Sequence, residues 1–200
     1  MGRDRKSKHK LSRREGKDLF GTGGESLQRR LHQPPGMHGR RPSRKTSVYA
    51  EQLREKQKVK RMYGLREQQF RRYMKAALQS REPSGLALLK LLERRLDNVI
   101  YRLNLARTRP QARQFVSHGH VRVNGQPVNI PSYLVKPGEE VQMEESGLQM
   151  PEVQELKEAN PPTPGWLKKR DGGGLIVREP NREEIDPDIQ EQRIVEFYSR

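Results

Sequence analysis

Two hundred residues leave room for one or two compact domains, but only 31% are hydrophobic and the mean hydropathy is −1.07, so any core must be thin. Lys and Arg number 41 against 25 Asp and Glu, a formal net charge of +16 that repels itself in the free protein and attracts a polyanion. Cysteine is absent, which excludes disulfides, thiolate zinc sites and a cysteine nucleophile, and the longest apolar run, Leu86-Ala87-Leu88-Leu89, is far too short to span a membrane.

Residues 1–45 hold 14 Lys/Arg and 4 Asp/Glu, a charge of +10, and are punctuated by Gly21, Gly23, Gly24, Pro34, Pro35, Gly36, Gly39 and Pro42. No sustained period runs through them. They are read as an irregular basic arm that can order itself against the phosphates of a polyanion such as RNA. Residues 1–10 are basic without a following apolar region, so no secretory signal is expected, and Lys6 stands where a myristoylation signal wants a hydroxyl. The basic, Gly-rich run from Pro35 to Arg41 is like a phosphate loop in composition only, because the Walker spacing and its Lys-Ser/Thr pair are missing.

Residues 46–113 carry 17 Lys/Arg and 6 Asp/Glu, +11. A helix is expected over 47–63, N-capped by Ser47, with Tyr49, Leu53 and Tyr63 at helical spacing, Lys56 and Lys60 between them, and Gly64 at its end. A second helix follows from Phe70, Tyr73, Met74, Ala77 and Leu78 at i, i+3, i+4, i+7 and i+8, with Arg71, Arg72 and Lys75 off that stripe. Ser84 caps a third run in which Leu89, Leu92, Leu96, Val99 and Leu103 alternate three and four apart; whether Asp97 divides it in two, the pattern leaves open. Thr108 and Gln111 have capping-box spacing around Pro110, and the helix they start buries Ala112, Phe115 and Val116 before Gly119 stops it.

There the period changes to two. Val121 and Val123 alternate with Arg122, Asn124-Gly125 marks a turn, and Val128 and Ile130 resume the alternation. Tyr133 and Val135 predict a short strand, Pro137-Gly138 a turn, and Val141 with Met143 another strand. After an acidic, Pro-rich stretch, Gly172 to Gly174 precede a possible strand, Leu175-Ile176-Val177. A helix of about ten residues starting near Asp188 is expected to pack back on the earlier helices, being too short to hold alone. Residues 114–200 carry 10 Lys/Arg and 15 Asp/Glu, −5. This segregation of charge favours a phosphate lattice over a membrane surface, since the arm lacks the broad apolar face of an interfacial helix.

The sharpest local feature is the helix beginning at Arg109, where a helix N-terminus and Arg107, Arg109 and Arg113 together suit phosphate. Between positions 98 and 138 there is no Asp or Glu, so these cations are expected to lack partners within the protein. His118 and His120 could suggest a metal, but two histidines with no third ligand make a weak site; a helix ending or an RNA contact is the preferred reading. No nucleophile, paired acid and base, or metal cluster asks for catalysis. The expectation is a protein that is not an enzyme and has no metal or other cofactor.

The run from Leu92 to Leu103 (LERRLDNVIYRL), the run from Ala112 to Val121 (ARQFVSHGHV), Val123-Asn124-Gly125 and Ile130-Pro131-Ser132-Tyr133 resemble the alpha-L RNA-binding module, which several RNA-modifying and tRNA-charging enzymes also carry. Pro35-Gly36-Met37-His38-Gly39, the run from Leu53 to Lys58 (LREKQK) and that from Ile194 to Arg200 (IVEFYSR) narrow this to the bacterial-type small-subunit ribosomal protein S-four (uS4) family, over nearly the whole chain. The resemblance implies a structural constituent of the small subunit that joins the 5′ domain junction of small-subunit rRNA early in assembly. It implies small-subunit protein five as a neighbour, mRNA near its entrance channel, a contribution to translational accuracy, and a cytoplasmic, ribosome-bound location with no membrane partner. Arg40, Arg41, Arg44 and Lys45 correspond to the basic stretch near incoming mRNA. Some members hold zinc with four N-terminal cysteines, and this arm has none.

The expected fold is α+β: a basic arm (1–45), a helical domain (46–93 plus 186–200), and a helix–helix–hairpin RNA-binding module (94–185, core 94–145) with an acidic, Pro- and Gly-rich extension. Candidate RNA contacts are Arg3, Arg5, Lys6, Lys10, Arg13 and Arg14, then Arg40, Arg41, Arg44 and Lys45. Arg54, Lys56, Lys58, Arg61, Arg71 and Arg72 follow on the first helices, and Arg107, Arg109, Gln111, Arg113, Gln114, His118, His120 and Arg122 on the module. Two rival readings use the same module: a handle on an RNA-modifying enzyme, which would need a further catalytic domain, and a ribosome- or mRNA-binding stress regulator made of the module alone.

Overall fold

The computed structural model describes residues 6–37 and 47–199. Arg3, Arg5, Arg40, Arg41, Arg44 and Lys45 lie outside the described residues, as do His38 and Gly39. The chain divides into two compact units, Met1–Gly85 with Asp188–Arg200, and Leu86–Pro187.

In the first unit the arm is not irregular throughout. It contains α1 (Lys8–Glu15) and a single turn, α2 (Glu25–Gln28), and buries Leu11, Leu19 and Leu27. Three leucines eight residues apart are too sparse to register as a period, yet all three are buried. Gly16 closes α1 in the left-handed conformation, and the Ser12 hydroxyl accepts from the Leu19 N–H.

Helix α3 (Val48–Met62) is capped as expected, the Ser47 hydroxyl accepting from the Ala50 N–H, and Gly64 (φ +63°) follows its end. Its buried face, however, is Gln52, Glu55, Lys56, Val59 and Met62, while Tyr49 is 50% exposed. The polar side chains turn inward because α10 (Glu191–Tyr198) packs there and supplies their partners. Gln52 donates to Glu196 (2.8 Å), and the Gln190 N–H donates to Glu55 (2.9 Å). Helix α4 (Glu67–Leu78) buries Phe70, Met74 and Ala77 and leaves Leu78 exposed, so the expected apolar stripe stops one residue early.

The leucine run proves to be two helices, α5 (Ser84–Glu93) and α6 (Leu96–Arg102), broken at Arg94-Arg95 rather than at Asp97. Arg95 is extended there and bridges to Leu134. Helix α7 (Arg109–Ser117) leads into β1 (Val121–Val123). Asn124 and Gly125, both at positive φ, make the two-residue turn to β2 (Gln126–Pro127). That strand is shorter than the alternation implied: Val128 still hydrogen-bonds Val121, but Ile130 is exposed. Tyr133 and Val135 form no strand, only the flanks of the Leu134 bridge.

Strand β3 (Glu140–Met143) is followed by a turn, α8 (Glu145–Leu148), and by α9 (Pro151–Ala159). Strands β4 (Leu167–Arg170) and β5 (Gly173–Ile176) complete an antiparallel sheet in the order β2-β1-β3-β5-β4. Gly173 and Gly174 lie inside β5, not before it. A Cβ on Gly173 would stand 2.2 Å from the Val141 carbonyl oxygen and 2.9 Å from the Gln142 Cα, so β5 needs glycine there to lie beside β3. The core reaches past residue 145: Val153, Trp166, Leu167 and Ile176 join Leu96, Val99, Phe115 and Val141 in one cluster. Edge strand β4 presents exposed Lys168 and Arg170, and edge strand β2 ends in proline.

Candidate nucleic-acid interface

In the first unit, many of the candidate cations already have protein partners. Lys56 is only 4% exposed; its ammonium meets Glu67 at 2.9 Å and lies 4.6 Å from the Phe197 ring centroid. Lys58 contacts Glu55 (2.9 Å) and donates to the Asp188 carbonyl (2.6 Å). Arg54 and Arg61 share the Glu15 carboxylate, whose side chain is nearly fully covered. Burial raises the Glu15 pKa despite the opposing Arg54 and Arg61 charges. Arg13 donates to the carbonyls of Gln33 (2.9 Å) and Pro34 (3.3 Å), tying α1 to the segment after α2.

Five of the candidate cations, Arg13, Arg54, Lys56, Lys58 and Arg61, are thus engaged within the protein. Lys56 and Lys58 hold groups of the protein itself, and Arg13 braces α1 against the segment after α2. The partners come from α1 (Glu15), α3 itself (Glu55), α4 (Glu67) and the segment before α10 (the Asp188 carbonyl), and α10 adds the Phe197 ring. At the far end of α10 Tyr198 donates to Glu67 (2.8 Å). Burial would raise the Glu67 pKa, but hydrogen bonds from Lys56, Lys60 and Tyr198 overcome it and hold the group at about 2; burial and the same carboxylate push the Tyr198 hydroxyl upward.

What remains outward in this unit is more selective. Lys10 and Arg14 are exposed on α1, and Arg71 and Arg72 on α4, none of them ion-paired among the described residues. Lys6, Lys10, Arg14 and Arg61 line a cleft of about 450 Å³ floored by Leu11, Pro35 and Gly36.

In the second unit, α7 carries the candidate surface. The Thr108 hydroxyl accepts from the Gln111 N–H (3.3 Å), and the Gln111 side chain accepts from the Arg107 N–H (2.8 Å), one residue before the cap. Gln111 also donates to Glu152 on α9. Arg107, Gln114 and His118 are exposed; His120 faces Ser146 (3.2 Å) and sets its ring edge-on to Phe115. Among the described residues no set of three His, Asp or Glu gathers as metal ligands.

The arginines of this surface are not without partners, contrary to the expectation drawn from the acid-free window. Carboxylates just outside that window reach in. Asp97 takes Arg95 through Nε (3.0 Å) and approaches Arg113 (3.4 Å), while Glu144 pairs with Arg122. Arg109 donates through Nε to Asn98 (2.8 Å), and its guanidinium carbon lies 4.5 Å from the Tyr101 ring centroid. Asn98 in turn donates to the Glu93 carboxylate (2.8 Å), which also takes two bonds from Arg102 (2.9 and 2.8 Å). Glu93, Asn98, Tyr101 and Asp97 were not singled out as site residues. The acidic ones could have been flagged as the sole carboxylates in an arginine-dense stretch. Nothing in the pattern marked Asn98.

So α7 presents Arg109 and Arg113 one turn apart, each held by a side chain from the start of α6, with Arg107 before them and Gln114, His118 and Arg122 beyond. Such an array can fork to phosphates or stack on bases.

A family model described as the S4 domain matches residues 94–141, and one described as the ribosomal protein S4/S9 N-terminal domain matches residues 3–93. The chain is 50% identical over 200 residues to the small ribosomal subunit protein uS4 of Dictyoglomus turgidum. It is 48% identical over 204 residues to that of Herpetosiphon aurantiacus and 47% over 201 to that of Natranaerobius thermophilus. Each match covers 96% of this chain and 96% of the relative.

Proposed function

This chain belongs to the small ribosomal subunit protein uS4 family, and from that premise we propose that it is a structural constituent of the small ribosomal subunit that binds small-subunit rRNA directly and works bound to the ribosome. The observation that carries the reading is the α7 surface. Arg109 and Arg113 are anchored from behind by Asn98 and Asp97 on a helix whose face is otherwise exposed and polar. An RNA fold brings phosphates close together, and a rigid row of cations neutralises them without reorganising.

The reading extends to finer points: early binding at the 5′ domain junction, a place beside small-subunit protein five, and a share in decoding accuracy. Arg40, Arg41, Arg44 and Lys45 would lie beside incoming mRNA. The division into an arm (1–45), a helical domain (46–93 plus 186–200) and an RNA-binding module (94–185) belongs to the same proposal. It requires no catalytic step and no cofactor.

The test is binding of the full chain to an in vitro transcript of the small-subunit rRNA 5′ domain over a salt series. Affinity should fall with log salt at a slope appropriate to roughly 6–10 neutralised phosphates. A nearly flat plot overturns the reading. The regulator alternative is separated by sedimentation: a constituent stays stoichiometric on salt-washed small subunits, and a regulator washes off.

A further inference from the structure

Resting on the RNA-binding reading above, we propose that Asn98 is a positioning residue for the α7 surface, fixing the plane of the Arg109 guanidinium before RNA arrives. Asn98 is 1% exposed and Glu93 fully buried. The Asn98 amide nitrogen donates to both the Glu93 carboxylate (2.8 Å) and the Glu93 carbonyl (3.0 Å). Its two N–H donors are therefore committed on one side, and its oxygen must face the other way, where Arg109 Nε donates to it at 2.8 Å. The amide cannot flip without breaking all three bonds in a site closed to water.

A guanidinium is planar, so a bond at Nε and an aromatic ring 4.5 Å away set the plane in which its other N–H groups lie. The arrangement is repeated one residue earlier and one helical turn later: Asp97, itself held by fully buried Arg95, stands 3.4 Å from Arg113. Consecutive residues at the start of α6 thus orient two arginines at i and i+4 of α7. Joining α6 to α7 would need no such chain of polar groups, since Leu96, Val99, Ala112 and Val116 already pack in the core between them. A buried amide there costs desolvation that an apolar residue would not. Orientation is what the amide adds.

The experiment uses the full chain and the 5′ domain transcript, with dissociation constants measured for wild type, Asn98→Ala, Arg109→Ala, the double variant and Arg109→Lys. Fluorescence of buried Trp166 reports folding. We expect Asn98→Ala and Arg109→Ala each to weaken binding about tenfold, the order of one charge-assisted contact. The double variant should be no weaker than Arg109→Ala, because the amide acts through that arginine. Arg109→Lys should bind as poorly as Arg109→Ala although its charge is kept, since an ammonium offers no Nε to grip and no plane to align.

Losses that multiply in the double variant overturn the proposal and leave Asn98 a packing residue. If Asn98→Ala does not fold, Arg109→Lys decides: wild-type affinity there overturns it. Failure of the wild type to bind the transcript would instead overturn the RNA-binding reading itself.

Discussion

The two units surround buried or half-buried carboxylates with cations, and they use them in opposite ways. In the helical unit the carboxylate neutralises: Glu67 gathers Lys56, Lys60 and Tyr198, and Glu15 gathers Arg54 and Arg61, so several cations are turned inward to fasten α10 and α1 onto α3. In the sheet-containing unit the buried group orients: Asp97 and Asn98 hold Arg113 and Arg109 from behind, on the outer face of a helix. A cation count treats both alike. A charge of +11 over residues 46–113 therefore overstates how much of that charge is offered to a partner.

The contrast is most severely tried at Asp97. Replacing it by Ala leaves Arg95 fully buried without its carboxylate, and breaking such a pair typically costs about 3–5 kcal/mol. Denaturant unfolding followed through Trp166, the sole tryptophan and a core residue of that unit, should show a loss of this size. A loss under about 1 kcal/mol would mean the pair is not what pins the α5–α6 break.

Next in size is Lys56→Met. Its burial against Phe197 predicts a loss of about 1–2 kcal/mol in the helical unit, seen by circular dichroism, with the salt slope of RNA binding unchanged. A slope that falls by a phosphate's worth would return Lys56 to the interface and break the comparison. Arg71→Ala with Arg72→Ala should do the reverse. The slope falls by roughly 1.4–1.8, at about 0.7–0.9 per phosphate, while stability stays within about 0.5 kcal/mol.

The smallest effect concerns protons. Glu67 is held at about 2, below its ordinary 4.5, so its contribution is fully present above pH 4.5 and is lost as the pH falls through 2. Glu15 has the opposite sign: its raised pKa means that stability declines as it ionises. Melting of the helical unit between pH 5 and 2 should therefore show Lys56, Lys60 and Tyr198 releasing α10, and the fall should be blunted in Glu67→Gln.

Helix α3, helix α7, the Asn124-Gly125 turn and β3 were legible because each combines a cap or turn residue with a clean period. Helix α1 was not, since one buried leucine per segment leaves no period to detect. Strand β4 escaped because Lys168 and Lys169 carry no strand preference, and β5 starts two residues before the expected Leu175 because Gly173 and Gly174 carry none either; pairing with β3 and with each other decides them. The inward face of α3 was misjudged because its neighbours are polar partners from the other end of the chain. On α7, the positions of Arg109 and Arg113 off the apolar stripe were readable from the period. Which of them are gripped, and by what, depends on Glu93, Asp97 and Asn98 converging across a helix break, and no local rule contains that.

The sheet's two margins have a consequence for the protein before it meets RNA. One is a dipeptide closed by Pro127, which has no N–H to give, and the other displays Lys168 and Arg170. Both features disfavour pairing with a strand of a second molecule, one by removing a donor and the other by placing charged side chains along the rim. Such rims work against stacking of free chains into an extended sheet.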